Sequence, residues 1–304
     1  MKNVIVTGAS CFIGKPLVKE LTEKGYFVYA ILRKGSPVKF DSPQIKTIYL
    51  NLDEYKNLDK YIDKPCLAIY HLSWNGTRGS DRNDEEKQES NFVYSKEVLE
   101  AASRIGCQYF IGAGSQAEYG VLNKKIKETD TPKPNTAYGI YKLKFTDYAL
   151  DNADRLKMKV IIPRFFSLFG ENDFSGTLIE SSIENMMHDR DCNYTLADQN
   201  WNYMYIQDAV KAMVYLMENG CSGIYNFGSR DTRELKDFIY EIKEILHSKS
   251  QLNFGAIPYP ATGKVSIDPD INKLLNTGFN SFTPFDIAIE NIVQNKKGKA
   301  YEKN

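Results

Sequence analysis

Short apolar runs alternate with amphipathic segments along the first half of the chain. The first run spans residues 4–6, and Leu17, Val18 and Leu21 then recur at the spacing of one helix face. A second apolar run follows at residues 27–32. This order of strand, helix and strand predicts a βαβ unit, which joins two parallel strands.

Four later apolar runs extend the same alternation. They predict strands at residues 46–50, 66–72, 108–112 and 159–164. Long helices are expected at residues 85–105 and 137–154. We therefore expect an α/β fold built on a doubly wound parallel sheet, in which ligands bind at the carboxyl ends of the strands.

The turn after the first strand is rich in small residues and leads directly into a helix. Backbone N–H groups at a helix N-terminus bind phosphate, and glycine lets a pyrophosphate approach the backbone closely. This arrangement predicts a cradle for a dinucleotide. Its expected contacts are Gly8, Ser10, Cys11, Phe12, Ile13 and Gly14.

Cys11 occupies the middle position of this turn, where such a cradle is expected to have glycine. A small side chain fits there when φ is negative, so we expect Cys11 to contribute its backbone to the pyrophosphate site. We expect its thiol to pack in the turn rather than to act in redox chemistry.

Arg33 and Lys34 follow the second strand, at the point where dinucleotide-binding units distinguish between their cofactors. An acidic residue there binds a ribose 2′-hydroxyl, whereas a basic residue binds a 2′-phosphate. The two cations favour NADP(H), with NAD(H) as the alternative. Further cofactor contacts are expected after the third and fourth strands, from Asn51, Leu52, Leu72 and Ser73.

The pattern changes after Gly170, where strands become shorter and Asn, Asp and aromatic residues more frequent. Short strands are expected at residues 194–196, 203–206 and 223–227, and helices at 176–188, 207–218, 235–247 and 284–293. We therefore predict a dinucleotide-binding domain at residues 1–170 and a smaller C-terminal α/β lobe at 171–304. The polar residues from 295 onward are expected to fray.

Composition narrows the possible classes of function. The 39 basic and 39 acidic residues balance, so no net charge attracts the chain to nucleic acid or to a membrane surface. The five cysteines lack C-x-x-C spacing and the three histidines lie far apart, so we expect neither disulfides nor a metal site. With no secretory leader and no apolar run of the ~20 residues that a membrane span needs, we expect a cytoplasmic protein.

Ser115, Tyr138 and Lys142 are the strongest candidates for catalysis. Ser115 follows the fifth strand, and Tyr138 and Lys142 lie one helical turn apart. A phenol with an ordinary pKa near ~10 is a poor proton donor at neutral pH, but a neighbouring ammonium favours the phenolate. Such a trio can move a proton to or from a carbonyl oxygen while a nicotinamide exchanges hydride with the adjacent carbon.

Six motifs together resemble one enzyme family. They are Thr7-Gly8-x-x-x-Phe12-Ile13-Gly14, His71-Leu72-Ser73, Gly114-Ser115-Gln116-Ala117-Glu118-Tyr119-Gly120, Tyr138-Gly139-Ile140-Tyr141-Lys142, Arg164-Phe165-Phe166-Ser167-Leu168-Phe169-Gly170 and Trp201-Asn202-Tyr203-Met204-Tyr205-Ile206-Gln207-Asp208. As a set they resemble the extended short-chain dehydrogenases/reductases, in the NAD-dependent epimerase/dehydratase group that acts on nucleotide sugars.

The resemblance implies a Rossmann domain, catalysis by Ser115, Tyr138 and Lys142, and a C-terminal lobe that binds a nucleoside diphosphate sugar. It also implies a homodimer through helices like those expected at 85–105 and 137–154. Pro163 and Phe165, around the end of the sixth strand, complete the cofactor candidates.

The positions after Ser115 narrow the reaction within this group. The resemblance implies that members that dehydrate hexoses carry an Asp-Glu pair directly after the catalytic serine. This chain has Gln116 and Ala117 at those positions, and neither side chain can titrate. A dehydratase is therefore not expected. Arg33 and Lys34 favour reduction with NADPH. The stretches at residues 114–120 and 253–257 resemble reductases of 4-keto-6-deoxyhexoses linked to CDP or dTDP, so the resemblance implies a substrate of that class, with Tyr138 as the acid.

Two other hypotheses stay open at this point. One is a nucleotide-sugar 4-epimerase that retains NAD. The other is a non-enzymatic protein that senses a dinucleotide, against which the intact catalytic trio argues.

Candidate substrate contacts lie at strand ends and in the C-terminal lobe. They are Trp74, Gln116, Ser167, Asn172 and Trp201, with Arg164 or Arg230 expected to bind the diphosphate. For Trp201, substrate contact and packing are both open. His71 is expected to be a packed imidazole, and Asp208 an acid at a helix N-terminus rather than a catalyst.

Overall fold

The structure of the protein is a computed structural model that describes residues 2–260 and 263–301. The strands are β1 (Asn3–Thr7), β2 (Phe27–Leu32), β3 (Ile45–Tyr49), β4 (Ala68–His71), β5 (Tyr109–Gly112), β6 (Gly114–Ser115), β7 (Lys125–Ile126), β8 (Lys159–Phe165), β9 (Ser167–Phe169), β10 (Cys192–Tyr194), β11 (Asn200–Tyr205), β12 (Gly223–Phe227), β13 (Thr232–Glu234), β14 (Leu252–Phe254) and β15 (Asp268–Pro269).

The α-helices are α1 (Gly14–Glu23), α2 (Glu85–Ile105), α3 (Ala137–Asp151), α4 (Leu178–Met186), α5 (Ile206–Glu218), α6 (Leu235–Ile245), α7 (Asn272–Leu275) and α8 (Phe285–Tyr301). Segments of 3₁₀-helix lie at Leu52–Tyr61, Gly79–Asn83 and Gln116–Glu118.

A parallel sheet of eight strands forms the centre of the molecule. Its order is β12-β8-β5-β4-β1-β2-β3, and β6 pairs with β8 beyond the end of β5. The direction of winding reverses between β1 and β4, which places the ligand crevice beside the first turn of the chain. The predicted α/β fold with a doubly wound parallel sheet is confirmed.

Helices cover both faces of this sheet. On one face α1 and α5 pack together and bury Leu17, Val18 and Met213. On the other face α2 and α3 pack side by side and bury Leu99 and Phe145. Strands covered on both faces can be apolar throughout, which explains the continuous apolar runs in the sequence.

The strand β12 corrects the predicted assignment of residues 223–227 to the smaller lobe. It pairs in parallel with β8, with Gly223 opposite Ile161, and forms one edge of the central sheet. The preceding helix α5 packs on α1 and covers the same sheet. The apolar pattern of a short strand is the same whichever sheet it joins, so the sequence did not distinguish the two sheets. Its pairing partner β8 also lies far away in the chain. The division into domains at residue 170 stays a prediction, but α5 and β12 pack on or pair with the central sheet.

The rest of the C-terminal part surrounds an aromatic core. Short strands pair as β13-β11-β9, β10-β14 and β15-β7. Helices α4, α6 and α8 bury this core, which contains Phe169, Tyr203, Phe238 and Phe285.

Helix α8 continues to Tyr301, beyond the helix end predicted at residue 293, and the fraying expected from residue 295 onward stays a prediction; residues 302–304 lie outside the described part. Within residues 2–260 and 263–301, no helix combines the length and apolar character needed to cross a membrane.

Candidate active site

Two glycines shape the turn between β1 and α1. Gly8 has a φ of +68°, and a Cβ there would lie 3.0 Å from the backbone nitrogen of Ser73. A Cβ at Gly14 would lie 2.2 Å from the carbonyl oxygen of Gly8, so α1 can pack on the loop only without a side chain there. The turn therefore presents bare backbone at the carboxyl ends of β1 and β4, as a pyrophosphate cradle requires.

Cys11 fits the middle of this turn without a left-handed backbone. Its Sγ accepts a hydrogen bond from the Gly14 N–H at 3.2 Å, so it occupies a donor that glycine at position 11 would leave free. Burial raises the pKa of the Cys11 thiol, which keeps it protonated and unreactive at neutral pH. Its backbone role toward a cofactor stays a prediction.

A cavity of about 470 Å³ opens at the carboxyl ends of β1, β2, β3 and β4. The predicted cofactor and substrate residues that line it are Gly8, Ser10, Cys11, Arg33, Asn51, Leu52, Leu72, Ser73 and Trp74. Additional lining residues are Leu50, Asp53, Tyr55, Asn75 and Tyr94. Its size and its mixture of backbone, polar and aromatic walls suit a nucleotide ligand.

Other predicted cofactor residues lie outside the lining of this cavity. They are Phe12, Ile13, Gly14, Lys34, Pro163 and Phe165. Phe12 and Ile13 pack against the aromatic core of the C-terminal part, and Phe165 packs edge-on against Phe227 with ring centres 5.4 Å apart. The structure therefore gives Phe12, Ile13 and Phe165 packing contacts, and cofactor contact of all six residues stays a prediction.

The two cations that follow β2 have different surroundings. The Lys34 ammonium forms an ion pair with Glu54, with 2.5 Å between Nζ and Oε1. Arg33 is exposed and lines the cavity. Of the two, Arg33 is therefore the cation that is placed to meet a ligand.

His71 is buried in a chain of hydrogen bonds, as its apolar surroundings in the sequence predicted. The Leu72 N–H donates to the Thr7 hydroxyl, which donates to His71 Nδ1 at 2.8 Å. His71 Nε2 then donates to the Ser95 hydroxyl, which donates to the Asn91 carbonyl. These roles assign the ring proton to Nε2. Burial lowers the pKa of His71 to about 3, so the ring is neutral and structural.

Ser115, Tyr138 and Lys142 come together at the carboxyl edge of the sheet. Ser115 ends β6, and α3 begins beside it, where the Thr136 hydroxyl accepts the Gly139 N–H at 3.1 Å. All three members of the trio are buried. The Ser115 hydroxyl neighbours the Tyr138 phenol and lowers its pKa, against the larger effect of burial, which raises it.

The Lys142 ammonium is held by groups other than the phenol. Its Nζ donates to the Ala113 carbonyl at 2.8 Å and lies 3.7 Å from the centre of the Trp74 ring. The centre of the Tyr138 ring is 5.9 Å away. Burial lowers the pKa of Lys142 to about 7, and the carboxylate of Glu118 acts in the opposite direction.

Glu118 supports Ser115 from beneath. Its Oε1 accepts the Ser115 N–H at 2.7 Å, and its Oε2 accepts the Thr146 hydroxyl at 3.0 Å and Arg164 Nε at 2.7 Å. The side chains of Glu118 and Arg164 are 0% and 1% exposed. Because every oxygen of the carboxylate has a donor, the buried ion pair can persist and join β8, α3 and the Ser115 turn.

This pairing corrects the expectation that Arg164 binds a diphosphate. Its guanidinium donates to Glu118, and the guanidinium carbon lies 4.4 Å from the centre of the Tyr119 ring. Arg164 does not line the cavity. The sequence contained a signal for Glu118, because Ser115 and Glu118 have the Ser-x-x-Glu spacing of a capping box.

Arg82 is a site residue that the sequence reasoning missed. Its guanidinium carbon lies 4.5 Å from the centre of the Tyr138 ring, brought there by the 3₁₀ segment at Gly79–Asn83. Its charge lowers the pKa of Tyr138, whereas burial and the charge of Glu118 raise it. An arginine in a loop has no periodicity that would have singled it out.

The predicted substrate residues have different surroundings. Trp74 is a wall of the cavity. Gln116 Oε1 and Trp201 Nε1 are buried without a hydrogen-bond partner among the described residues. Ser167 lies on β9, and Asn172 lies in the loop before α4 with a φ of +64°. Their contact with a substrate stays a prediction.

Arg230 and Asp208 also lie away from the trio. Arg230 donates to the Asn280 side chain at 2.5 Å and lines a separate cavity of about 420 Å³ in the C-terminal part. Asp208, in the first turn of α5, is buried and accepts the N–H and hydroxyl of Thr283 at 2.7 and 2.8 Å. Asp208 thus links α5 to the segment before α8, in agreement with the structural role expected for it.

Comparison with known proteins assigns the chain to a family. The sequence model of the NAD dependent epimerase/dehydratase family matches residues 4–228. A similar sequence is the CDP-abequose synthase of Salmonella muenchen, which is 26% identical over 275 residues, covering 84% of this chain and 85% of that protein.

Solved structures share the fold. The UDP-glucose 4-epimerase of Thermotoga maritima, solved with UDP-glucose, has a TM-score of 0.88 at 19% identity, covering 98% of this chain and 99% of that one. The UDP-glucuronic acid 4-epimerase of Bacillus cereus, solved with NAD, has a TM-score of 0.81 at 20% identity, covering 96% of this chain and 99% of that one.

Proposed function

Since the chain belongs to the NAD-dependent epimerase/dehydratase family, we propose that it reduces the 4-keto group of a nucleoside diphosphate 6-deoxyhexose. The observation that carries this proposal is the buried Tyr138 phenol, which neighbours the Ser115 hydroxyl at the carboxyl edge of the sheet. The expected base is cytosine or thymine, and the relative named CDP-abequose synthase supports a CDP-linked sugar.

The cradle and the cavity fit a dinucleotide. A side chain at Gly8 or Gly14 would collide with the chain's own backbone, so both glycines are needed for the tight turn that forms the cradle. A bound nicotinamide dinucleotide supplies the hydride in this reaction. Residues of the cradle and of the strand ends would hold it, with Arg33 beside the ribose.

The chain's own residues handle the proton. The Tyr138 phenol donates its proton to the ketone oxygen as the carbon becomes a carbinol, and the Ser115 hydroxyl donates a hydrogen bond to the same oxygen. The phenolate left behind is reprotonated from solvent. Glu118 fixes the Ser115 backbone through its N–H, so the hydroxyl is oriented before the substrate arrives.

The residues after Ser115 support reduction over dehydration. Dehydration of a hexose needs an acid and a base at the sugar, and neither Gln116 nor Ala117 can titrate. NADPH is the proposed cofactor because Arg33 faces the cavity without the acidic residue that binds a ribose 2′-hydroxyl at this position.

The experiment is an assay of the purified protein with CDP-, dTDP- and UDP-linked 4-keto-6-deoxyhexoses, with NADPH or NADH, followed by loss of reduced-nicotinamide absorbance. Stoichiometric oxidation of NADPH with formation of the alcohol supports the proposal. Tightly bound NAD, with interconversion of 4-epimers and no need for added cofactor, would instead identify a 4-epimerase.

A pair of variants tests the cofactor assignment. Arg33→Glu should weaken NADPH binding far more than NADH binding, because it sets a carboxylate against the 2′-phosphate. Lys34→Glu should have the smaller effect, since Glu54 already pairs with Lys34. Equal losses for the two cofactors in Arg33→Glu would refute the preference for NADPH.

We also propose a homodimer through α2 and α3, in a reducing cytoplasm. The two helices lie side by side, and each exposes an apolar side chain, Val93 on α2 and Ile140 on α3. The free cysteines among the described residues suit a reducing compartment. Light scattering on the purified protein measures the mass, and Val93→Glu should shift it toward the monomer.

A further inference from the structure

The segment that follows β4 is tied to helix α2 by buried amide side chains. Gln88 donates to the carbonyls of Gly76 and Asp81 at 2.8 and 2.9 Å, and it accepts the Trp74 indole N–H at 2.7 Å. Asn91 pairs with both backbone groups of Asn75, at 2.8 and 2.9 Å. The segment is therefore held in one position over the site, although it is irregular.

Two arginines of this segment face in different directions. The Arg78 guanidinium lies 4.5 Å from the Phe174 ring centre and 3.6 Å from Asp173. The Arg82 guanidinium lies 4.5 Å from the Tyr138 ring centre, and its NH1 donates to the Thr77 carbonyl at 3.2 Å. Both of these partners of Arg82, the Tyr138 ring and the Thr77 carbonyl, are uncharged, so neither of them neutralises its positive charge.

The Lys142 ammonium, which the sequence analysis expects to act on the phenol, has two further contacts. The Lys142 ammonium lies on the face of Trp74 at 3.7 Å and donates to the Ala113 carbonyl, whereas the Tyr138 ring centre is 5.9 Å away. A cation on an aromatic face is stabilised by the ring quadrupole, which adds to the carbonyl contact in holding Lys142 at this position. Arg82 is the nearer of the two cations to the Tyr138 ring.

We propose that Arg82 is a positioning residue of this site: its guanidinium holds the Tyr138 ring and adds a positive charge to that of Lys142 on α3. The inference rests on the proposed function of Tyr138 as proton donor. With Arg82 in place the phenol is a stronger acid toward a ketone oxygen than burial alone would allow.

The other charges around the phenol are Glu118 on the 3₁₀ turn after Ser115 and Lys142 on α3. Burial of the phenol and the charge of Glu118 raise the pKa of Tyr138, and Arg82 opposes them. His71 is neutral, because burial and then the charge of Lys142 lower its pKa, and its ring nitrogens pair with Thr7 and Ser95. Because Arg82 is only partly buried, its contribution should weaken as salt concentration rises, unlike that of the buried Glu118.

The test measures the phenol directly, in the full-length protein without substrate. Difluorotyrosine incorporated at position 138 titrates near neutral pH, and its fluorine NMR signal gives its pKa. Arg82→Gln should raise that pKa by about one unit, the scale for one charge a few ångströms away near a protein surface. Arg82→Lys should retain part of the effect because it retains the charge.

Arg78→Gln is the matched control, since it removes an equal charge from the same segment on the side of Phe174. Its pKa shift should be clearly smaller than that of Arg82→Gln. An unchanged pKa in Arg82→Gln, or an equal shift in Arg78→Gln, would overturn the proposal. Should Arg82→Gln fail to fold, a salt titration of the otherwise unmutated labelled protein decides: the pKa must rise with salt, and a flat profile overturns the proposal.

This measurement separates the inference from the proposed function. If the reductase assay finds no substrate, the fluorine titration still shows whether Arg82 acts on the phenol. If turnover survives Tyr138→Phe, the proposed role of Tyr138 fails while the pKa comparison between variants stands. In an active enzyme, Arg82→Gln should also move to higher pH the loss of reductase activity that follows deprotonation of Tyr138.

Discussion

Glu118 and Asp208 are buried carboxylates in two regions of the molecule, and each accepts one backbone N–H and one hydroxyl. Asp208 takes both from Thr283 and joins α5 to the start of α8. Glu118 takes them from Ser115 and Thr146 and also pairs with the buried Arg164. The same acceptor chemistry therefore joins two helical segments in one region and supports the proposed active site in the other.

The two carboxylates differ in which elements of the fold their hydrogen-bond partners belong to. Both elements that supply the proposed catalytic trio contact Glu118: the Ser115 turn does so directly, and α3 does so through Thr146. Asp208 contacts none of these elements through its described hydrogen bonds. Variants at Glu118 should therefore change turnover as well as stability, whereas variants at Asp208 should change stability alone.

The largest effect is expected from the phenol itself. Tyr138→Phe removes the proton donor and should lower kcat by about 10²–10⁴-fold, the usual contribution of a positioned general acid. Its melting temperature should stay close to that of the parent protein. Turnover within a few-fold of the parent enzyme would contradict the proton-transfer role.

Glu118→Gln and Asp208→Asn compare the two carboxylates with matched isosteric changes. Glu118→Gln leaves Arg164 buried without its counter-charge and should cost about 3–5 kcal/mol of unfolding free energy, with a loss of kcat in the molecules that stay folded. Asp208→Asn should cost about 1–3 kcal/mol through its mispaired contact with Thr283, at unchanged kcat.

Denaturant unfolding and initial rates, measured on the same preparations, check both halves of this comparison. A drop in kcat in Asp208→Asn, at a temperature where it is fully folded, would remove the distinction between the two regions.

The lowered pKa of His71 should make the free energy of unfolding fall with pH on the acid side. Its pKa is lowered from 6.5 to about 3 by burial, so the unfolded chain binds a proton that the native protein does not. Stability contributed by the neutral ring is complete above pH 6.5 and is lost as pH falls, by up to roughly 1.4 kcal/mol per pH unit.

Unfolding of His71→Gln should show a flatter profile between about pH 3 and 6.5 than the parent protein. His188→Gln is the control, because it removes an exposed imidazole at the surface instead of the buried one. Identical slopes in the parent and His71→Gln proteins would show that other groups control acid unfolding.

The smallest effect is expected at Tyr70, a buried tyrosine that does not line the cavity of the candidate site. The Tyr70 hydroxyl is buried without a hydrogen-bond partner among the described residues, and burial raises its pKa. Tyr70→Phe removes an unsatisfied polar group and should leave stability unchanged or raise it by about 1 kcal/mol, with unchanged kcat. A loss of stability above that scale would mean that the hydroxyl has a partner such as bound water.

The local pattern of the sequence predicted much of this fold because most of the sheet is built from consecutive βα units. Hydrophobic spacing located α1 and α2, and the small-residue turn at Gly8 marked the ligand edge. It could not assign β12 to the central sheet, because the pairing of β12 with β8 depends on partners far apart in the chain. It also ended α8 too early, since the polar residues near 295 carry no apolar stripe.

The site divides in a similar way. The spacing of Tyr138 and Lys142 on one helix is a local pattern, so the sequence could show it. The positions of Arg82 on Tyr138 and of Trp74 on Lys142 depend on how α2 holds an irregular segment, and no spacing expresses that. Arg164 was misassigned because a cation on a strand was interpreted without its buried partner Glu118.

The contact between Trp74 and Lys142 gives the molecule a built-in optical signal. The chain has two tryptophans, and one of them lies with its ring against the ammonium at the carboxyl edge of the sheet. In a Trp201→Phe background, all indole emission comes from Trp74. Its intensity and wavelength then report, in real time and without an added dye, when a ligand or a change of charge alters that one contact.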